Sequence, residues 1–325
     1  MTALAPGSRA AELVLSPDDD VAVAARAVLR FHLRTFEAVE EEARAGAVES
    51  VHKLRVATRR LRAALHLFAS FLPKRFIEAS QRELSWLASA IGAVRDLDVL
   101  ADAVQARAVR LDPELRGMLG PVGIAIHDRR LAALEALATA LRSSRCQRLR
   151  ERLATVAEAP AGSRRSEPLG QAVPALATPL LRAVARAGRR LAPESSPPEL
   201  HRLRVRVKRL RYALEALRGL GIRSIRVLIA RLERLQDVLG DTQDAATQVG
   251  WLRVYAGSDG VPPGSLLPVG AVFQALSRRV RKRRRRALRT WRKLERERLL
   301  ETVEADLARH AREQKAAHVE EAVSR

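Results

Sequence analysis

The sequence predicts an all-α protein made of two four-helix halves that are related by an internal repeat. Ala, Leu, Arg and Glu dominate the 325 residues, and aromatic residues make up only 3% of them, a composition typical of helical proteins. Apolar residues recur with the period of a helix, and no stretch alternates as a half-buried strand does. One long segment also occurs twice, at residues 51–68 and again at residues 200–217.

The repeated segment predicts an amphipathic helix in both copies. Leu54, Leu61 and Leu65 share one face of the first copy, and Leu203 and Leu210 do so in the second. Cations occupy the opposite face, where their repulsion must be offset by water, carboxylates or a bound anion. These basic rows are His52, Arg55, Arg59 and Arg62 in the first copy, and His201, Arg204, Lys208 and Arg211 in the second. We therefore expect the two rows to carry the function.

The first half is expected to span residues 17–158, after a flexible leader at residues 1–16. Helix one should begin at Ser16 and Pro17, because serine caps helices and proline suits the first helical position. Helix two carries the basic row, and helix three should bend at Gly92. The expected bounds of the four helices are about 16–44, 49–71, 74–107 and 113–143, and an interruption of the fourth around Gly117 to Gly123 is left open.

Residues 159–168 predict a linker, because periodic apolar residues are absent from this Pro- and Ser-containing stretch. The second half, residues 169–325, is expected to have helices at about 174–191, 198–217 and 222–255, followed by one long final helix from about residue 269. In both halves a glycine and an aspartate follow the basic helix at the same distance, within residues 91–96 and 239–244. A pseudo-twofold axis would then bring both basic faces into one central groove.

The formal net charge of +22 makes a polyanion the expected partner, whether nucleic acid, an anionic membrane surface or an inorganic phosphate chain. Arginine outnumbers lysine 53 to 6, a bias that a GC-rich genome alone also produces. Cys146 is the single cysteine, which excludes an intramolecular disulfide and a cysteine-based zinc site. No apolar run is long enough for a signal peptide or a membrane span, so we expect a cytoplasmic protein without a membrane partner.

The motif H-x-L-R-V-x-x-R-R-L-R at residues 52–62, its echo at residues 201–211 and I-G-x-V-R-D-L-D-V at residues 91–99 resemble the CHAD family, the conserved histidine α-helical domain. The resemblance covers about residues 17–315. It implies a duplicated helical bundle that binds inorganic polyphosphate in a central basic groove, without catalysis of its own. Family members often follow a triphosphate-processing tunnel domain with an E-x-E-x-K signature, which this chain lacks.

Further cations are candidates for the same phosphate site, since guanidinium groups bind two phosphate oxygens at once. Flanking candidates, about 80° to 100° from the rows on a helical projection, are Lys53, Arg60, Arg202 and Arg209. Residues 278–293 hold eleven cations and no acid, and this run is expected to line the groove through Arg281, Arg285 and Arg289. The alternatives for the run are a separate nucleic-acid contact or a solvated basic surface.

The residues leave three functions open: a polyphosphate-binding module without a cofactor, a non-specific nucleic-acid-binding protein, and an enzyme acting on polyphosphate. The absence of asparagine and the eleven aromatic residues argue against reading or stacking bases. Asp96, Asp98 and Asp244 are expected to cap helices or pair with arginines, and a histidine among arginines repels a divalent metal. No phosphate-loop or metalloprotease motif is present, and no obligate protein partner is inferred. Recruitment to polyphosphate granules is an expectation from the family resemblance.

Overall fold

The computed structural model describes residues 13, 15–159 and 167–323, with side chains as far as residue 320. Within these ranges the chain forms α-helices, one short 3-10 turn and no strand, so the predicted all-α class is confirmed. Most of the predicted leader at residues 1–16 and of the predicted linker at residues 159–168 lies outside the described residues.

Helices α1 to α6 lie before the predicted linker and α7 to α11 after it. The first group comprises α1 Val21–Arg44, α2 Val48–Leu67, α3 Lys74–Ala108, α4 Pro113–Gly117, α5 Gly120–Arg142 and α6 Ser144–Glu158. The second comprises α7 Leu169–Arg189, α8 Pro197–Ala216, α9 Arg223–Ala256, α10 Pro263–Arg296 and α11 Leu299–Val323, with the 3-10 turn Arg218–Leu220 after α8. The two basic rows thus lie on α2 and α8.

The first helix begins at Val21, so the prediction that it starts at Ser16 is wrong. The cap is Asp20, whose carboxylate accepts a hydrogen bond from the backbone N–H of Ala22 at 2.8 Å. Ser16 instead belongs to a preceding turn, where its N–H donates to the carboxylate of Asp19 at 2.7 Å. Aspartate is as good a helix cap as serine, and tertiary contacts decided between the two.

α7 starts at Leu169, earlier than the predicted start at Pro174. Pro174 and Pro179 both lie inside the helix, where each removes one backbone N–H donor. Val173 and Ala177 on the same helix are completely buried. Burial of this apolar face compensates for the missing hydrogen bonds.

The structure divides the predicted fourth helix of each half. In the first half Met118 and Leu119 separate α4 from α5, and the hydroxyl of Ser143 caps α6 by accepting from the N–H of Cys146 at 3.2 Å. In the second half α10 ends before Arg298, which adopts a φ of 49°. A non-glycine residue in this left-handed region terminates a helix, and α11 then packs along α7.

Corresponding helices pack in the same order in the two halves. α2 contacts both α1 and α3, and α8 contacts both α7 and α9. Across the boundary, α1 meets α7, α2 meets α8 and α3 meets α9. The main apolar core runs through both halves, and a second cluster joins α3, α5, α9 and α10. This packing places α2 and α8 side by side at the centre.

The segments that precede α1 and α7 are hydrogen-bonded to each other. The N–H of Val21 donates to the carbonyl of Glu167 at 3.0 Å, and the N–H of Leu169 donates to the carbonyl of Asp19 at 2.8 Å. The partners occupy corresponding positions of the sequence repeat, so the pairing is reciprocal.

Among the helices of the described ranges, none has the length and apolar character that crossing a bilayer requires.

Candidate functional site

A cavity of ≈ 480 Å³ between α2, α3 and α8 is lined by three residues of each basic row. We call it the basic cavity, and no acidic side chain is among its lining residues. Its cations are Arg55, Arg59 and Arg62 from α2, with Arg204, Lys208 and Arg209 from α8. Two histidines, His66 and His201, also line it, and α3 contributes the polar side chains of Gln81, Ser85 and Ser89.

The leucines of the repeat hold the cations in this position. Leu54, Leu61 and Leu65 on α2 and Leu203 and Leu210 on α8 are 0% exposed. Their burial against the common core fixes the rotation of each helix, because the cations lie on the opposite face. The predicted separation of apolar and basic faces is confirmed.

Two arginines of the basic cavity have carboxylate partners on neighbouring helices. Nη1 of Arg55 lies 3.5 Å from Oδ1 of Asp96, and Nη2 of Arg204 lies 3.9 Å from Oδ1 of Asp244. Both pairs occur at corresponding positions of the repeat. Asp96 and Asp244 therefore pair with arginine, as the sequence predicts.

The glycine of each repeat lies beside the same arginine. A Cβ atom at Gly92 would lie 3.0 Å from Nη1 of Arg55, closer than an ordinary contact. At Gly240 the nearest atom would be Nη2 of Arg204 at 3.7 Å, an ordinary van der Waals distance. Gly92 thus provides the space in which the guanidinium of Arg55 reaches Asp96.

Tyr212 gathers three guanidinium groups at one end of the basic cavity. Its hydroxyl accepts a hydrogen bond from Nη2 of Arg59 at 2.7 Å. The guanidinium of Arg211 lies 4.6 Å from the ring centroid, and those of Arg59 and Arg60 each lie 5.9 Å from it, distances typical of cation–π contacts. The repeat gives no signal for Tyr212, because its counterpart in the first copy is Ala63.

The basic cavity contains positive charge that the protein does not neutralise. Burial, together with the nearby charges of Arg59 and Arg204, lowers the pKa of Lys208 to about 6. Burial and the charge of Arg209 also lower the pKa of His66. The Nε atoms of Arg59, Arg62 and Arg204 are buried without a hydrogen-bond partner. Such groups favour binding of an anion, which supplies both charge and acceptors.

A second cavity, of ≈ 370 Å³, lies next to the first, with walls from α3, α5, α8 and α9. We call it the end cavity; it shares Arg55, His201 and Arg204 with the basic cavity. Its other walls carry both charges and apolar groups. They include Asp96, Leu97, Leu100, Arg129, Gln243, Asp244, Gln248 and Trp251. Sequence reasoning missed the glutamines and Trp251, because no local pattern marks them.

The family model of the CHAD domain matches residues 27–253, more than half of the chain. The chain belongs to the CHAD domain family. Its fold is similar to the crystal structure of the CHAD domain from the plant Ricinus communis, with a TM-score of 0.69, 26% identity, and coverage of 87% of this chain and 96% of that chain. It is also similar in fold to PptA from Streptomyces chartreusis, with a TM-score of 0.67, 19% identity, and coverage of 85% of this chain and 100% of that one. No curated protein matches the chain.

Not every cation of the predicted rows lines the basic cavity of this CHAD domain. Arg211 contacts Glu215 at 2.6 Å, Glu233 at 3.1 Å and Gln236 at 3.1 Å. Nη2 of Arg60 lies 3.6 Å from the same Glu215. Arg60 lines a different cavity, of ≈ 1040 Å³, which Tyr212 also lines. The carboxylates draw these two arginines away from the basic cavity.

Three candidates at the beginnings of α2 and α8 are solvent-exposed and do not line the basic cavity. These are His52, Lys53 and Arg202. Nζ of Lys53 lies 4.0 Å from Glu49, one turn earlier on the same helix. Burial and the charge of Arg95 lower the pKa of His52. His201 differs from its repeat counterpart because it lines both the basic cavity and the end cavity.

The basic run of α10 does not line the basic cavity. Arg281, Arg285 and Arg289 are exposed, and no residue of α10 is among the lining of the basic or end cavity. Arg289 lines another cavity, of ≈ 390 Å³, whose other cationic residues are Arg231, Arg234, Arg286 and Lys293. The physical reason is that α10 packs along α9, with Trp291 buried.

The remaining predicted acid, Asp98, is buried and engaged. Its carboxylate accepts a hydrogen bond from Nε of Arg130 at 2.6 Å and lies 3.8 Å from Nη1 of Arg95. Across the described residues, no group of three or more His, Cys, Asp or Glu side chains is placed to hold a metal ion.

Proposed function

We propose that this CHAD domain binds inorganic polyphosphate in the basic cavity and does so without catalysis. One observation carries the proposal: five arginines, Lys208 and no acidic side chain line a cavity between three helices. The resemblance to CHAD proteins that the sequence shows implies the same ligand. Arginine forks suit a chain of phosphates, because each fork donates two hydrogen bonds and keeps its charge at physiological pH.

The contacts that we propose come from both halves. Arg59, Arg62, Lys208 and Arg209 have no carboxylate among the residues that line the cavity with them, so the phosphate chain is their counterion. Arg55 and Arg204 extend the site toward the end cavity. His66 and His201 supply further hydrogen-bond donors.

The proposed preference for polyphosphate over nucleic acid rests on the surroundings of the Tyr212 ring. Among Phe, Trp and Tyr side chains, Tyr212 is the one that lines the basic cavity. Guanidinium groups lie against its ring, so the ring offers no open face to a nucleic-acid base. Single-stranded nucleic acid gains much of its affinity by stacking bases on exposed aromatic rings. A bare phosphate chain needs no such surface.

Two variants, each with four basic side chains replaced by glutamine, test the proposal. The cavity variant replaces basic side chains that form no ion pair with a carboxylate of the described residues: Arg59→Gln, Arg62→Gln, Lys208→Gln and Arg209→Gln. The control variant replaces exposed arginines elsewhere: Arg34→Gln, Arg142→Gln, Arg148→Gln and Arg312→Gln. Each protein is titrated with long-chain polyphosphate, single-stranded DNA and double-stranded DNA at equal phosphate concentration, and helicity is checked by circular dichroism.

The wild type and the control variant are expected to prefer polyphosphate, and the cavity variant is expected to lose that preference. With about six phosphates neutralised, the logarithm of affinity should fall by about 4 per tenfold rise in salt, and by about 1 to 2 in the cavity variant. Equal affinity for DNA, or equal loss in both variants, would contradict the proposal. That result would indicate that the basic run at residues 278–293, and not the basic cavity, binds the polyanion.

Binding of this kind places the protein on polyphosphate granules in the cytoplasm. Fluorescence imaging of the tagged protein, in cells with and without polyphosphate synthesis, tests this location. We expect foci that coincide with granules and that the cavity variant does not form. Foci that persist in cells lacking polyphosphate would contradict recruitment by this ligand.

A further inference from the structure

The end cavity has a different electrostatic character from the neighbouring basic cavity. The basic cavity has no acidic lining residue. In the end cavity, Asp96 and Asp244 offset the charges of Arg55 and Arg204 at 3.5 and 3.9 Å. A phosphate group that advanced beyond these arginines would meet two carboxylates. The phosphate chain is therefore expected to stop at this point.

The walls of the end cavity suit an uncharged ring. Leu97, Leu100 and Trp251 provide apolar surface, and the guanidinium of Arg129 lies 5.2 Å from the centroid of the Trp251 ring. Arg129 is exposed, so its planar group can shift to stack on an incoming aromatic ring. The volume of ≈ 370 Å³ is in the range of small-molecule sites.

Polar groups at fixed positions can recognise the edge of such a ring. Gln248 donates from Nε2 to the carbonyl of Val99 at 3.2 Å, which holds the side chain and leaves its amide oxygen as an acceptor. Gln243, Asp96 and Asp244 add further acceptors. Amide and carboxylate oxygens accept from the exocyclic amino groups of bases such as adenine.

We infer that the end cavity binds the base of a nucleoside polyphosphate whose phosphates lie in the basic cavity. Arg55, Arg204 and His201 line both cavities, so they mark the junction where the phosphate nearest the nucleoside lies. This inference rests on the proposed function, because it uses the same phosphate site. It extends that function from a bare phosphate chain to a phosphate chain that ends in a purine nucleoside.

ATP and inorganic tripolyphosphate provide the test, because they share three linked phosphates and differ in the nucleoside. Esterification removes one ionisable oxygen, so a purely electrostatic site favours tripolyphosphate. We expect ATP to bind about tenfold more tightly, given the usual gain from one recognised base. Isothermal titration calorimetry without divalent cations measures both affinities, with long-chain polyphosphate as a third ligand.

Ala93→Phe blocks the end cavity without removing a core contact. Ala93 is exposed on α3 and lines the end cavity but not the basic cavity. In this variant ATP affinity should fall to that of tripolyphosphate, whose own affinity should stay within about twofold, because its phosphate contacts remain. Tryptophan fluorescence gives a second readout: ATP should change it in the wild type and in Trp86→Phe, but not in Trp251→Phe.

The outcomes separate the inference from the proposed function. If long-chain polyphosphate binds while ATP binds no more tightly than tripolyphosphate, the inference is wrong and the proposed function stands. An ATP advantage that survives Ala93→Phe also overturns the inference, because the base then binds elsewhere. If neither polyphosphate nor tripolyphosphate binds, the proposed function itself fails.

Discussion

The guanidinium of Arg59 donates a hydrogen bond to the hydroxyl of Tyr212 at 2.7 Å, across the boundary between the two halves of the CHAD domain. Arg59 belongs to α2 and Tyr212 to α8. Tyr212 also lines the larger cavity that contains Arg60 and Glu215. The residue therefore belongs both to a cavity without an acidic lining residue and to one in which Arg60 is paired with Glu215.

Substitution of Tyr212 distinguishes the role of its hydroxyl from that of its ring. Tyr212→Phe should lower the free energy of unfolding by about 1.5 to 3 kcal/mol, the usual value of a hydrogen bond to a charged group. It should leave polyphosphate affinity within about twofold, since Arg59 keeps its charge. Tyr212→Ala should cost about 3 to 5 kcal/mol because it leaves a void among buried residues. Urea unfolding and calorimetric titration measure both, and equal effects of the two variants would show that the hydroxyl alone organises the arginines.

The glycines of the repeat provide a matched pair of substitutions. Gly240→Ala should raise the free energy of unfolding by about 1 kcal/mol through helix propensity, because its Cβ meets Arg204 only at 3.7 Å. Gly92→Ala should gain less, because its Cβ would lie 3.0 Å from Nη1 of Arg55 and displace that group. The displaced Arg55 should lose its charge-assisted contact with a phosphate group, so Gly92→Ala should bind polyphosphate about fivefold more weakly. Identical affinities in the two variants would mean that the position of Arg55 does not matter for binding.

Lys208 makes polyphosphate affinity dependent on pH. Burial and the charges of Arg59, Arg204 and Arg55 lower its pKa from 10.5 to about 6, and Asp244 offsets this only in part. The free protein therefore holds Lys208 mostly neutral above pH 6, and a bound phosphate raises the pKa again. Binding at pH 7.5 should take up a proton, and affinity should fall as pH rises from about 6 to 8. Titrations in buffers of different ionisation enthalpy measure the uptake.

Lys208→Arg is the control for this pH dependence. Arginine keeps its charge across the range, so proton uptake should decrease and affinity at pH 8 should rise relative to the wild type. His66 also lines the basic cavity with a lowered pKa, and the small dependence that remains should disappear in Lys208→Arg/His66→Gln. An unchanged proton uptake in Lys208→Arg would exclude Lys208 as its source.

Asp96 competes with the ligand for Arg55. Burial raises the pKa of Asp96, and the neighbouring Asp244 raises it further against the pull of Arg55 and Arg204. A carboxyl group with a raised pKa favours the folded state at low pH, and that contribution is lost as pH rises through its pKa. Asp96→Asn should therefore not lower the melting temperature at pH 7, and it should tighten polyphosphate binding several-fold because Arg55 loses its counterion. Weaker binding in Asp96→Asn would show that Asp96 holds Arg55 in its binding position.

The local sequence determines most of the helices and the residue types of the site. It does not determine which individual side chains line each cavity. Leucine spacing predicts which faces of α2 and α8 are buried, because burial follows the helical period. The turn at Arg298 carries no such signal, since a non-glycine residue adopts a positive φ there only under tertiary constraint. Trp251 reaches the end cavity from a helix that the basic motif does not include. Contacts between distant helices decide these features, and one sequence does not display them.

Arg209 and Arg211 show this difference most directly, because the repeat assigns the row position to Arg211. In the structure Arg209 lines the basic cavity, whereas Arg211 pairs with Glu215 at 2.6 Å and with Glu233 of α9 at 3.1 Å. Arg211→Gln should lower the free energy of unfolding by about 1 kcal/mol, since it removes the partner of Glu233 and leaves Glu215 with Arg60 alone. It should leave polyphosphate affinity nearly unchanged.

Arg209→Gln should do the reverse, with unchanged stability and about three- to tenfold weaker binding from the loss of one phosphate contact. Both variants remove one positive charge, so the long-range electrostatic field of the protein changes equally. Glutamine and arginine also have similar helix propensities. Urea unfolding and polyphosphate titration of both variants decide which arginine contacts the ligand: Arg211, which the repeat predicts, or Arg209, which lines the cavity. If Arg211→Gln weakens binding more than Arg209→Gln, the ligand lies along the row that the repeat defines and the cavity assignment is wrong.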